Sequence, residues 1–316
     1  MKMDCPSVFL VHQGKADYLE LSLKYSIHFG HKTYLISNEE SYSDCCDFFI
    51  QDNVHCSEYE LFKKSYIHYS SNSKEFELLC FRRYFYLKDA VKKFGIKNFW
   101  MIDSDVLLLD SLASYQDFLK GEGYSCSLSI EEGQENGCKW SASPHISYWT
   151  IDSIESFVQF LGSFYTKELK NIIEKYEYHK VHGISGGICD MTALYLWARN
   201  QQKIDSNLLA HRKGFGYFDH NINQQGNVSS EQVKMVPQLS VKKVFSIKGR
   251  SYLSMVDGLK IKLTCLHFQG GAKQYMKMLD LYHELTFGSL CFPIIKRIIK
   301  KFINTQSLQL FRDRKS

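Results

Sequence analysis

The sequence predicts an α/β protein built on one mainly parallel, helix-covered sheet. Two observations carry that expectation. Over the first third of the chain, short β-branched and aromatic runs alternate with helix-spaced segments, the order in which strand–helix–strand units are laid down. One of those runs, residues 99–102, ends in a pair of aspartates, Asp103 and Asp105, and a second apolar run begins at once at Val106. In parallel sheets ligands sit beyond the carboxyl ends of the strands, so the acidic pair falls at the edge where a site belongs.

Taken in order, "SVFLVH" at 7–12 is a strand bounded by Pro6 and Gly14, and "ADYLELSLKYSIHFG" follows with helical spacing and a closing glycine. "KTYLIS" is a second strand ending at Asn38, and "DFFIQD" a third. "FELLCFRRYFYLKDAVKKFG" reads as a long helix stopped by Gly95 after Lys92 and Lys93. On it Arg82, Tyr86, Asp89 and Lys93 share a polar stripe, whereas Arg83 shares its stripe with Leu87, Ala90 and Phe94, the core side. An inward cation needs a partner, either a structural acid or a bound substrate.

The middle of the chain is less regular. "GYSCSLSIEEGQENGCKWSASPHISYWTI" reads as strands broken by a loop, and "SIESFVQFLGSFYTKELKNIIEKY" as helical. In "HGISGGICDMTALYLWARN" a glycine-rich turn opens a helix, with Asp190 placed to cap it. Residues 207–235 are polar with scattered turn signals, and "KIKLTCLHFQGGAKQYM" is strand, turn and helix start. With no internal repeat and no linker, residues 1–290 read as one domain.

Residues 291–316 differ. Ile294, Ile295, Ile298, Ile299, Phe302 and Ile303 fall on one helical face, and Lys296, Arg297, Lys300 and Lys301 on the other. Two readings stand side by side: residues 292–303 lie on an anionic membrane surface, or the helix docks on its own domain with its lysines in solvent.

The charge balance, 39 Lys+Arg against 34 Asp+Glu, leaves an excess of only +5, part of it in this tail, so nothing points to nucleic acid. The opening residues do not read as a secretory signal, and the sequence holds no Cys-x-x-Cys pair and no apolar run of the roughly 18 residues a span needs. The ten cysteines therefore read as reduced thiols and the body as cytoplasmic.

Two carboxylates one residue apart make a solvated turn, an acid/base pair or a divalent-cation site. Their position between two apolar runs favours the cation. The stretch "CLHFQGGAKQYM" offers the rest: His267 to complete a mixed oxygen and nitrogen shell suited to Mn²⁺, Gly270 and Gly271 to open the backbone to an anion, and Lys273 as a point charge for phosphate.

These pieces together resemble the GT-A glycosyltransferases, the retaining family 8 type in particular. "FWMIDSDVLLL" is similar to their Asp-x-Asp strand, "HFQGGAK" to their His-x-x-Gly-x-x-Lys element and "FRRYFYLKDAV" to their arginine-bearing helix. The order is kept from about residue 7 to 277. The tryptophan-ending tail after the lysine is absent, and the Asp-Gln-Asp opening of the later helix is reduced to Asp190-Met-Thr.

The resemblance implies a metal-dependent transfer from a nucleotide-diphosphate sugar, expected to be a UDP-sugar, to a glycan or lipid-linked acceptor in surface polysaccharide synthesis. Asp103, Asp105 and His267 would hold Mn²⁺ or Mg²⁺. His12, Gln13, Gly14, Tyr18, Asp103, Ser104, Gly270 and Lys273 would bind the nucleotide sugar. Asp190, Arg83 and Lys273 would act at the reacting centre. A nucleotidyltransferase, or a silent nucleotide-sugar or glycan binder on the same sheet, is the alternative.

Overall fold

The computed structural model describes residues 5–52, 56–227, 232–237, 239–247 and 250–277. Residues 5–277 belong to one compact unit. The domain boundary expected at 290 and the tail with its amphipathic segment 292–303 lie outside the described residues.

The first half alternates as expected: β1 (Ser7–His12), α1 (Asp17–His28), β2 (Lys32–Ser37), β3 (Phe48–Gln51), α2 (Ser57–Ser65), α3 (Lys74–Lys93), β4 (Asn98–Ile102), β5 (Val106–Leu108) and α4 (Ala113–Gly121). The rest comprises β6 (Cys126–Ile130), β7 (Ala142–Thr150), α5 (Ile151–Lys167), α6 (Leu169–Val181), α7 (Asp190–Ala198), β8 (Ile204–Asp205), β9 (Tyr217–Phe218) and the short ribbon of β10 (Met235–Val236) and β11 (Val241–Lys242). The antiparallel strands β12 (Val244–Ile247), β13 (Arg250–Ser254) and β14 (Lys260–His267) close the unit.

Among the described residues, seven strands form the central sheet in the order β3-β2-β1-β4-β7-β6-β8. The first four are parallel, β7 runs antiparallel to both β4 and β6, and β8 is parallel to β6. The sheet is therefore mainly parallel, and helices cover both faces. Along β4 the side chains alternate: Phe99 and Met101 join the core under α3 and α5, while Trp100 and Ile102 join the one under α1 and α4.

Helix α3 has the ends its sequence specifies. Ser73 accepts from the Phe76 N–H at 3.2 Å. At the far end, bonds from Gly95 to Lys92 and from Ile96 to Val91 close it around a glycine at φ +65°. The stretch 153–176, expected to be helical, is helical as two segments, α5 and α6, parted at Glu168.

The two apolar runs flanking the acidic pair belong to different sheets. β4 stays in the central sheet, and the chain then turns at Asp103, where the Val106 N–H reaches the Asp103 carbonyl at 3.1 Å. β5 joins β14 in a second, mostly antiparallel sheet, with Val106 opposite His267. Asp103, Ser104 and Asp105 are the elbow between the sheets. That explains two carboxylates at the mouth of the core. No helix among the described residues is long and apolar enough to cross a membrane.

Candidate metal centre

The pairing of β5 with β14 brings His267 to Asp105. The Phe268 N–H donates to the Asp105 carbonyl at 2.9 Å, and Nε2 of His267 lies 3.5 Å from Oδ1 of Asp105. Asp103, Asp105 and His267 each offer a ligand atom, and these atoms lie within 4.8 Å of one another. Two carboxylates and an imidazole form a mixed hard and borderline donor set, which fits Mn²⁺ and also accepts Mg²⁺.

The imidazole is set for this task. Its Nδ1 lies 2.6 Å from the His220 carbonyl. A carbonyl only accepts, so Nδ1 carries a proton and Nε2 is the atom left for a ligand. Asp105 and His267 are both buried, and their titrations oppose each other. Burial alone would raise the Asp105 carboxyl, but the His267 bond and the Lys273 ammonium, 3.1 Å away, hold it below its ordinary value. Burial would lower His267, but Asp105 wins and raises it. Burial raises Asp103 against the pull of Arg83.

Arg83 points inward and finds acids, as its stripe implied. One guanidinium nitrogen donates to Asp103 at 2.8 Å and another pairs with Asp190. Tyr84 donates to the same Asp190 carboxylate at 3.0 Å. This corrects the expected capping role of Asp190. The cap position of α7 is Cys189, no side chain bonds there, and Asp190 is the first helical residue with its carboxylate turned to Arg83.

On the β1 side, His12 Nδ1 and Ser104 Oγ are 2.9 Å apart, and the Gly14 N–H donates to Asn38 at 2.9 Å. Gln13 pairs with Asp52, so its amide is already engaged within the protein. Tyr18 faces His12 edge-on and carries the Lys273 ammonium 5.0 Å above its ring. Gly270 and Gly271 open a short 3₁₀ turn, residues Gly270–Tyr275, and Gly270 adopts φ +60°. Nε of Arg83 and Nε2 of His12 are buried without a protein partner, each on a side chain bonded to the Asp-Ser-Asp elbow.

Three groups were not anticipated. Arg82, on the polar stripe, donates to the Asp52 carboxylate at 2.6 Å. His145 stacks on His267, and the fully buried Asp219–Lys242 pair lies behind them. Arginine at an exposed-looking helical position was the only hint of the first, and nothing local marked the others.

No family model and no curated protein matches the sequence. Among solved structures, the chain is similar to mouse xyloside xylosyltransferase 1 in its apo form, at 10% identity and a TM-score of 0.43, over 64% of this chain and 84% of that one. It is also similar to a glycosyltransferase involved in glycosylation of the major capsid of PBCV-1, at 12% identity and a TM-score of 0.39, over 87% of this chain and 100% of that one.

Proposed function

We propose that the chain is a metal-dependent glycosyltransferase that moves a sugar from a nucleotide-diphosphate donor, a UDP-sugar, to a glycan or lipid-linked acceptor in surface polysaccharide synthesis. The observation that carries this reading is the gathering of Asp103, Asp105 and His267 within 4.8 Å, at the carboxyl edge of the parallel strands and beside a lysine. When bound, a divalent ion there supplies Lewis acidity to the departing diphosphate.

The chain's own residues do the remainder. Asp105 and His267 hold the ion, with Asp103 beside them. Lys273 stands 3.1 Å from Asp105 and adds a fixed positive charge next to the diphosphate site. Arg83 ties Asp103 to Asp190, so the Asp-Ser-Asp elbow and the acid at the start of α7 are held in one geometry. Asp190 is the acid we assign to the anomeric centre, and retention of configuration is the outcome the family 8 resemblance implies. His12 and Gly14 at the end of β1, with Tyr18 on α1 behind them, would receive the nucleoside.

The decisive experiment is a panel of nucleotide sugars with Mn²⁺, scored by thermal shift and by release of free nucleotide. A UDP-sugar that both stabilises the protein and is slowly hydrolysed supports the reading. No response across the panel, with Mn²⁺ or Mg²⁺, overturns it.

A further inference from the structure

The two arms of the metal centre come from distant parts of the chain, and one residue outside it touches both. His145 lies just past the last register pair of β7 with β4, Ile146 opposite Ile102. Its carbonyl accepts the Asp103 N–H at 2.8 Å, which fixes the backbone at the start of the elbow. Its ring stacks on the ring of His267, with centroids 4.5 Å apart and planes 10° from parallel. His145 is wholly buried.

Both ring nitrogens of His145 are committed. Nε2 lies 3.2 Å from the Asp219 carbonyl, and Nδ1 lies 2.9 Å from Ser143 Oγ. The carbonyl only accepts, so Nε2 donates to it, while Nδ1 pairs with the serine hydroxyl.

The bond to Asp219 bears on His267 by two routes. The carboxylate of Asp219 accepts the His267 backbone N–H at 3.3 Å and pairs with Lys242. The next carbonyl along the chain, that of His220, takes the Nδ1 proton of His267. Holding residue 219 therefore sets the acceptor that turns Nε2 of His267 toward Asp105.

We propose that His145 is a positioning residue for the metal centre, its two ring hydrogen bonds fixing the Asp219–His220 turn that orients His267. A histidine that only filled space would need none of these bonds, and phenylalanine would stack as well. The inference rests on the cation reading above and adds to it a residue that touches neither metal nor substrate.

The test is Mn²⁺ affinity, read by electron paramagnetic resonance on the full chain without substrate. His145→Phe keeps the stack and loses both bonds, and is expected to weaken Mn²⁺ binding about 10–100-fold, the usual cost of removing a partner behind a ligand. His145→Gln can donate to the Asp219 carbonyl and accept from Ser143, and is expected within about threefold of wild type, since both bonds survive. Leu119→Ala, a core truncation on α4, should lower the melting temperature yet leave Mn²⁺ affinity unchanged.

Wild-type affinity in folded His145→Phe, or an equal loss in His145→Gln, overturns the proposal. Should the Phe variant fail to fold, His145→Asn, too short to reach both partners, takes its place with the same expectation. Absence of Mn²⁺ binding by the wild-type protein would instead sink the cation reading, and this inference with it.

Discussion

Nε2 of His267 faces Oδ1 of Asp105 at 3.5 Å because β5 and β14 pair with Val106 opposite His267. The contact is thus a consequence of strand register, and a shift of one residue along β14 would turn the imidazole to the other face. Everything proposed for the site depends on that register.

Asp105→Asn keeps the shape of the side chain and removes its charge. Ion binding and Mn²⁺-dependent UDP binding should be lost, and transfer should fall at least about 100-fold, since a Lewis acid supplies several kcal/mol of charge stabilisation. Calorimetry with UDP and a turnover assay check this. Unchanged turnover in a folded protein would remove the metal from the reaction.

The pH dependence of ion binding has a definite sign. A metal takes the neutral ring, and the Asp105 contact has raised His267 above its ordinary 6.5. Mn²⁺ affinity should climb with pH by about tenfold per unit up to that raised value, then level off, as one displaced proton requires. Without metal the trend reverses: the protonated ring stabilises the fold fully below 6.5, and that contribution is lost as pH rises through the raised value. Parallel titrations of wild type and His267→Gln, with and without Mn²⁺, separate the two; identical slopes in both proteins would refute the assignment.

Arg83 holds two acids, Asp190 nearly closed to solvent and Asp103 part-buried. Arg83→Met leaves Asp103 and Asp190 facing each other without their cation, and should destabilise the protein by about 3–5 kcal/mol. Arg83→Lys should recover only part of that loss, because a single ammonium does not reproduce the two-pronged contact. Urea unfolding gives both numbers, and a lysine variant as stable as wild type would show that the fork is not needed.

Gly186 and Gly187 precede Asp190 on a loop bridged to residues 69–71. Both adopt positive φ, +105° and +120°, but only at Gly187 would a Cβ meet the Tyr69 carbonyl, at 2.2 Å. Gly186→Ala should cost about 1–3 kcal/mol of backbone strain. Gly187→Ala should cost more and also reduce transfer, because the displaced bridge carries Ile188 and, two residues on, Asp190. Equal stabilities for the two variants, measured by denaturant melts, would contradict the close approach.

Much of this architecture could be read locally. Period-two and helical spacing, Gly95 after two lysines, and the apolar flanks of Asp103 and Asp105 are set by neighbours in sequence, and the first four parallel strands and α3 followed. The break between α5 and α6 is not marked locally, because both segments carry the same apolar spacing. The capping role given to Asp190 failed for a different reason: a local hydrogen bond was available, but a guanidinium from α3 offered a stronger partner.

The sequence by itself determined which residues could ligate a cation, and that the paired acids lay where free carboxylates would be costly. Only the tertiary structure decided that His267 meets them, that Arg83 joins Asp103 to Asp190, and that His145 and Asp219 stand behind the imidazole. Burial periodicity is a property of neighbouring residues. Strand register, ion pairing and ring stacking are fixed by contacts between segments far apart in the chain, and no local pattern encodes them.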